Sequence, residues 1–166
     1  MRWEFIDEIT ECDEETFVRG HKTFPLQDEW HQDHFPGKAI VPGVLQIETG
    51  ANFLGKLVLF RSLKEKGVWT APLLLKTQEC TFKGMILPGD KIEVEMKIDK
   101  WTRLIVRGSG ELKVNGEIVS TLSIALARTD PANAGDPKKL LPWQIEVIRR
   151  IYPGISEELK AFMVED

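Results

Sequence analysis

Residues 33–55 of this 166-residue chain read DHFPGKAIVPGVLQIETGANFLG and contain the features that decide its fold. The first half is a loop rich in proline and glycine, and Val41-Pro42-Gly43 turns the chain into an apolar helix. His34 stands in the loop, and Glu48 follows fourteen positions later, close to the start of the helix. An imidazole and a carboxyl group placed in this way can serve as a general acid–base pair.

The helix is predicted to run from about Gly43 to about Ser62. One stripe has apolar residues at helical spacing, namely Val44, Ile47, Ala51, Leu54 and Val58. Further apolar residues fill much of the remaining circumference, so we expect a buried helix. Gly50 and Gly55 each cost about 1 kcal/mol of helix propensity relative to Ala, and we expect another backbone to approach there. Glu48 borders the apolar stripe, with Asn52 one turn later on the same side.

Strand patterns flank this helix on both sides. Before the loop, the spacing of Trp3, Phe5 and Ile9 and the stretch Thr16–Phe24 predict a hairpin. After the helix, four strands are predicted at Leu73–Phe82, Lys91–Asp99, Leu104–Val114 and Glu117–Ala127. The last two flank Asn115-Gly116, a strong two-residue hairpin signal. A curved antiparallel sheet wrapped around one long helix, an α+β fold, satisfies the whole pattern.

A compositional break divides the chain. Residues 1–129 are predicted to form one domain, and residues 130–166 a linker and a helical C-terminal tail. The linker is the stretch Asp130–Pro137, DPANAGDP. Beyond it, the apolar pattern predicts a short amphipathic helix started at Pro142, and Ser156 can cap a final turn. We expect the tail to pack on the domain or on a partner subunit.

Composition and charge limit the classes of function. The formal charge of −4 argues against a nucleic-acid-binding protein, which usually has a basic balance. The apolar stretch of the helix is interrupted by Lys56, so no membrane span is predicted. Cys12 and Cys80 form no motif, and the charged N-terminus does not resemble a signal peptide. A cytoplasmic location is therefore expected.

Three residues are candidates for chemistry, each with a plainer alternative. His34 can be a catalytic base, or a loop histidine whose ring bonds a carbonyl. Glu48 can be an acid, since apolar surroundings favour the protonated carboxyl group, or a helix carboxylate stabilised by the dipole. Gly43 can offer a backbone N–H that polarises a carbonyl, or can only permit the turn.

Other kinds of site receive little support. His31 and His34 lack a clear third ligand, so no metal site is predicted. No Ser-His-Asp set, phosphate-binding glycine loop or CxxC motif is present, and no cofactor is predicted. A basic cluster is interpreted as a solvated helix end rather than a docking site; it comprises Lys56, Arg61, Lys64 and Lys66.

Three short motifs carry a resemblance to a known family. HFPG at 34–37, VPGVLQIE at 41–48 and LPGD at 87–90 resemble the signature of the FabA/FabZ family of 3-hydroxyacyl acyl-carrier-protein dehydratases. The resemblance covers roughly Trp3 to Arg128. It implies a hot-dog fold, a homodimer that often assembles further into a trimer of dimers, and an active site in which the histidine of one chain faces the carboxylate of the other.

The resemblance also implies roles for individual residues. His34 is similar to the catalytic base, Glu48 to the partner acid, and Gly43 to the source of the N–H that polarises the thioester. Phe35 and Asn52 stand in supporting positions, and the peptide bond after the histidine is implied to be cis. A glutamate in the acid position is typical of FabZ rather than of FabA, which favours dehydration without isomerisation.

The implied activity is dehydration of 3-hydroxyacyl thioesters in fatty-acid or related acyl-chain biosynthesis. The implied partner is an acyl carrier protein with a 4′-phosphopantetheine-linked substrate, and no metal or redox cofactor is implied. Two departures bear on substrate and partner: Asp33 replaces the usual glycine before HFPG, and Asn52 replaces a common glutamine. A hot-dog thioesterase and a non-catalytic acyl-binding subunit stay open as alternatives.

Overall fold

One long helix packs against a single antiparallel sheet of six strands in the computed structural model, which describes residues 4–28, 31, 33–129 and 140–163. The elements, in chain order, are β1 (Glu8–Cys12), β2 (Phe17–Thr23), α1 (Gly43–Lys66), β3 (Pro72–Phe82), β4 (Lys91–Trp101), β5 (Ile105–Val114), β6 (Glu117–Arg128), α2 (Pro142–Ile151) and α3 (Glu157–Lys160). The strand order is β1-β2-β4-β5-β6-β3, with every pair antiparallel. This is the hot-dog architecture, as the motifs implied.

Helix α1 starts where the sequence predicts and ends one turn later. It extends beyond Ser62 because Gly67 adopts the left-handed conformation (φ 64°) and donates its N–H to Leu63 O, which closes the last turn. Most of its length is buried, as expected. Val44 is an exception: this first residue of the predicted apolar stripe is 70% exposed.

The two helix glycines make room for side chains rather than for a second backbone, so that expectation was wrong. A Cβ on Gly50 would lie 2.4 Å from Leu122 Cδ1 and 3.3 Å from Met96 Sδ, both on the sheet. A Cβ on Gly55 would lie 3.1 Å from Pro72 Cγ. The helix therefore lies close enough to the sheet for core side chains to occupy the space of the missing methyl groups.

The predicted strands are confirmed. Most of their boundaries differ from the predicted ones by one or two residues. The first strand begins only at Glu8, although Phe5 and Ile9 are both buried as their spacing predicts; Trp3 lies outside the described residues. Asn115 and Gly116 have φ values of 52° and 81°, as a two-residue hairpin between β5 and β6 requires.

Strand β3 forms the apolar edge of the sheet. Within the described sheet its only neighbour is β6, and nearly all of its residues are exposed. Large apolar side chains are among them, namely Leu73, Leu74, Leu75 and Phe82. An edge strand with unpaired backbone groups and exposed apolar side chains is typical of a surface that pairs with another chain.

The turn between β1 and β2 is built on Asp13. Its carboxylate accepts hydrogen bonds from the N–H groups of Glu15, Thr16 and Phe17 and from the Thr16 hydroxyl. Partial burial alone would raise the pKa of Asp13, but these donors together outweigh it and lower the pKa to about 2.

The C-terminal tail packs on the domain through α2 and α3, which contact β1 and α1 respectively. Helix α2 begins at Pro142 as predicted, and its buried side chains are Ile145, Ile148 and Ile151. Ser156 caps α3 and also donates its N–H (2.8 Å) and hydroxyl (2.6 Å) to the carboxylate of Glu14, which is 3% exposed. The turn before β2 is thereby tied to the tail.

The division into 1–129 and 130–166 stays a prediction, because the linker Asp130–Pro137 lies outside the described residues. Among the helices that the structure does describe, none is long and apolar enough to cross a lipid bilayer.

Candidate active site

The loop that carries His34 is closed on itself by backbone hydrogen bonds. Ile40 N–H donates to His34 O (3.1 Å), and Lys38 N–H donates to Phe35 O (3.0 Å) around a turn in which Gly37 has φ 86°. Only glycine adopts this φ readily. The peptide bond between His34 and Phe35 is cis, as the resemblance implies. The backbone hydrogen bonds and the turn at Gly37 place the imidazole at one end of the loop.

The His34 ring is oriented by one hydrogen bond. Its Nδ1 lies 3.1 Å from Ile40 O, and because a carbonyl oxygen only accepts, Nδ1 is the nitrogen that carries the proton. In the neutral ring, Nε2 is then an acceptor. The Phe35 ring stacks at an angle beside it, with centroids 4.6 Å apart. His34 therefore does bond a carbonyl through Nδ1, as the plainer alternative expects. Its Nε2 is not used in this bond and can take part in chemistry.

His34 and Gly43 line one cavity of about 440 Å³, together with Gln46 and Phe82. Gly43 is the first residue of α1, so its N–H has no acceptor within the helix. A Cβ on Gly43 would lie 2.9 Å from the Phe82 ring. Glycine therefore does more than permit the turn, since its missing side chain makes space for an aromatic wall of the cavity.

Gln46 supports this region, and the sequence analysis missed it. The side chain is 3% exposed, its Nε2 donates to Val41 O (3.1 Å), and its Oε1 accepts from the Ser120 hydroxyl. It therefore connects the end of the histidine loop, the start of α1 and strand β6. A polar residue between Leu45 and Ile47 on a helix predicted to be buried was the available signal.

Glu48 is positioned by Asn52, its neighbour one helical turn later. Asn52 Nδ2 donates to Glu48 Oε1 (2.7 Å) and to Glu48 O (3.0 Å), and both residues are partly buried. The two line a second cavity, of about 290 Å³, together with Lys56 and Leu74. His34 is not part of this cavity. A single chain thus places the candidate base and the candidate acid in separate cavities.

The basic cluster predicted on the helix does not form one surface. Arg61 donates to Glu65 (3.1 Å), and Lys64 lies 3.2 Å from Glu15. Lys56 instead lines the Glu48 cavity, and burial lowers its pKa, with Glu4 acting in the opposite direction. The interpretation of the cluster as a solvated helix end was therefore wrong for Lys56.

Neither of the other histidines lines the His34 cavity or the Glu48 cavity. His31 is buried, and His21 lies in β2 with its Nδ1 3.9 Å from Glu8 Oε2. Within the described ranges, no group of three or more His, Cys, Asp or Glu side chains is placed to hold a metal ion.

The fold and the histidine loop together define a class of hot-dog protein, and comparison with known proteins identifies the family. The model of the FabA-like domain matches residues 1–123. The 3-hydroxyacyl-[acyl-carrier-protein] dehydratase FabZ of Yersinia enterocolitica is 34% identical over 129 residues, which cover 78% of this chain and 76% of the relative. FabZ of Yersinia pestis is 34% identical over 127 residues, or 76% and 72% of the two chains. The chain belongs to the FabA-like family.

Solved structures share the fold at low sequence identity. The dehydratase heterocomplex ApeI:P from Xenorhabdus doucetiae has a TM-score of 0.64 at 15% identity, over 80% of this chain and 87% of that one. Zebrafish thioesterase superfamily member 2 has a TM-score of 0.57 at 13% identity, over 74% and 80%. At these identities the similarity shows the fold alone.

Proposed function

We propose that this chain dehydrates 3-hydroxyacyl thioesters carried on an acyl carrier protein to trans-2-enoyl thioesters, as a step in fatty-acid or related acyl-chain biosynthesis. The FabZ relatives, which bear this activity in their names, support the proposal across most of the chain. A phosphopantetheine arm would deliver the substrate, and the expected location is the cytoplasm.

The observation that carries the proposal is the orientation of His34. With Nδ1–H held by Ile40 O, Nε2 is left as the acceptor nitrogen, and His34 lines the cavity that also contains Gly43. Nε2 would remove a proton from C2 of the substrate while the N–H of Gly43 stabilises the negative charge that develops on the thioester oxygen. The electron pair released from the C2–H bond forms the double bond as the C3–O bond breaks.

Glu48 would supply the proton that the leaving hydroxyl group needs. In its protonated form it would give this proton to the departing C3 hydroxyl, which leaves as water. Asn52 would hold the carboxyl group in position, and Phe35 the imidazole, through the contacts described above. The cycle closes when the proton on His34 returns to Glu48 through solvent, so no net proton is consumed.

The two groups would meet in a homodimer. Because His34 and Glu48 line separate cavities of one chain, a complete site needs His34 from one copy and Glu48 from another. The apolar edge β3 and the exposed side chain of Val44 offer a surface on which a second copy would pair. A trimer of dimers is the further assembly that the resemblance implies.

The test is reversible hydration of a trans-2-enoyl thioester by the purified protein. The reaction is monitored through the loss of enoyl absorbance. His34→Ala and Glu48→Ala are each expected to lower the rate by about 10²–10⁴-fold, the usual contribution of a general acid or base. His21→Gln and Glu65→Gln are matched controls on β2 and at the end of α1, and both are expected to retain full activity.

Two outcomes would contradict the proposal. Equal rates in the wild type, H34A and E48A would remove the catalytic assignment. Release of free thiol without formation of the enoyl product would instead indicate a thioesterase.

A further inference from the structure

The cavity beside Glu48 contains a cation that the proposed reaction does not use. Lys56 lies two helical turns after Glu48 on the same face of α1, about 12 Å along the helix axis. Asn52 lies between them, and all three side chains line the cavity. A lysine at this position is unusual, since the neighbouring residues of the helix are apolar and buried.

No counter-charge satisfies this ammonium group within the part of the chain that the structure describes. No hydrogen bond or ion pair to Lys56 is found among the described residues, whereas Lys64 of the same helix lies 3.2 Å from the Glu15 carboxylate. Glu4 is close enough to act on Lys56 electrostatically, but forms its own ion pair with Arg150. Burial lowers the pKa of Lys56, as expected for a cation that has lost water without gaining a close partner.

The rest of the cavity lining combines apolar and polar side chains. Ala51, Leu59 and Leu126 supply apolar walls, whereas Thr70 and Gln144 join Lys56 as polar members of the lining. Gln144 comes from α2, so the C-terminal tail forms part of this cavity. Its Oε1 accepts the N–H of Leu141 (2.8 Å), which leaves the amide N–H groups as donors.

We propose that this cavity receives an acyl chain ending in a carboxylate, and that Lys56 is the side chain that binds this carboxylate. The substrate class is then an ω-carboxyacyl thioester rather than an unsubstituted fatty acyl thioester. This inference rests on the proposed function, because it assigns the cavity beside Glu48 to the acyl chain. One cation with neutral donors suits a carboxylate, whereas phosphate sites usually combine several basic groups or a helix N-terminus.

The test is calorimetric titration of the full chain with three thioesters: adipoyl-pantetheine, hexanoyl-pantetheine and hexanoyl-phosphopantetheine. The wild type is expected to bind the adipoyl thioester about tenfold to hundredfold more tightly than the hexanoyl thioester, as one charge-assisted contact allows. K56M and K56Q are expected to lose this preference, and K56R is expected to keep it. The matched control K66M changes an exposed lysine at the end of the same helix and is expected to bind as the wild type does.

Three results would overturn the inference. One is the same adipoyl preference in the wild type and K56M, or no preference in either. Another is a loss in K56M that affects hexanoyl-phosphopantetheine rather than the adipoyl thioester, which would place the phosphate at Lys56. The third is dissociation of the assembly in K56M while the ratio of adipoyl to hexanoyl affinity stays unchanged. This result would make Lys56 a subunit contact.

A turnover measurement separates this inference from the proposed function. If the protein dehydrates 3-hydroxyhexanoyl thioester but shows no preference for 3-hydroxyadipoyl thioester in binding or in kcat/KM, the function stands and the inference fails. If neither substrate is turned over while the binding preference depends on Lys56, the proposed dehydration is wrong. The assignment of the cavity to an ω-carboxyacyl chain then stands.

Discussion

Substitution of the two helix glycines by alanine tests how closely α1 lies against the sheet. Both Gly50→Ala and Gly55→Ala gain helix propensity of about 1 kcal/mol, and this gain cancels when the two variants are compared. The difference in their free energies of unfolding then depends only on what each new methyl group meets.

The two methyl groups meet different surroundings. At Gly50 the methyl group would lie 2.4 Å from Leu122 Cδ1, well below the ordinary contact range of 3.4–4 Å, and both Leu122 and Met96 are buried in the core. Overpacking of this kind costs about 1–3 kcal/mol. At Gly55 the contact is 3.1 Å to Pro72 Cγ, and Pro72 is half-buried at the start of an edge strand, where it can shift by a few tenths of an ångström.

We therefore expect Gly55→Ala to be more stable than Gly50→Ala by about 1–3 kcal/mol. The assay is urea unfolding followed by circular dichroism, at one fixed protein concentration because self-association would add to the apparent stability. Gly55 also lines the Glu48 cavity, so activity should be measured beside stability. Equal midpoints at equal slopes, or a more stable Gly50→Ala, would refute the described packing of α1 on the sheet.

Three further predictions concern the turn before β2 and the tail. Because the pKa of Asp13 is lower in the folded state than the unfolded value of about 3.9, its stabilisation is present above about pH 4 and declines as the pH falls toward 2. Asp13→Asn should cost about 1 kcal/mol near neutral pH, after screening of this exposed group, and the urea midpoints of variant and wild type should converge in acid; a constant gap would contradict this. Burial raises the pKa of the Cys12 thiol to about 12, so iodoacetamide at about pH 8 should modify Cys12 only after unfolding, and rapid modification of the native protein would show the thiol to be accessible. Ser156→Ala removes a hydroxyl bond to the Glu14 carboxylate and the cap of α3, and should lower the free energy of unfolding by about 2–3 kcal/mol, whereas an unchanged urea midpoint would mean that the tail contributes little.

Periodicity and turn chemistry predicted most of the fold. Alternation of apolar and polar residues located the strands, and Asn115-Gly116 fixed the register of the last hairpin, since both residues adopt the positive φ that this turn requires. The exposure of Val44 and of β3 could not be predicted in the same way. An apolar pattern has the same form whether it faces the core of its own chain or a second copy.

The candidate site was predicted in its residues but not in its arrangement. The motifs selected His34, Gly43 and Glu48, yet spacing along the chain does not show that a single chain places His34 and Glu48 in different cavities. Gln46 and Lys56 were missed as site residues because sequence spacing on an apolar helix does not show whether a polar side chain is buried or exposed. Only the packing of β6 against α1, and the place of Gln144 from α2 in the cavity beside Lys56, distinguish the two.

The central claim is that each active site combines His34 from one copy with Glu48 from another. The most direct measurement is enoyl-thioester hydration by a mixture of H34A and E48A chains that have been denatured and refolded together. The account predicts recovery of about a quarter of the wild-type activity, because half of the dimers are mixed and one of the two sites in each mixed dimer is intact. No recovery from the mixture, although each variant refolds and dimerises, would mean that both groups must come from the same chain.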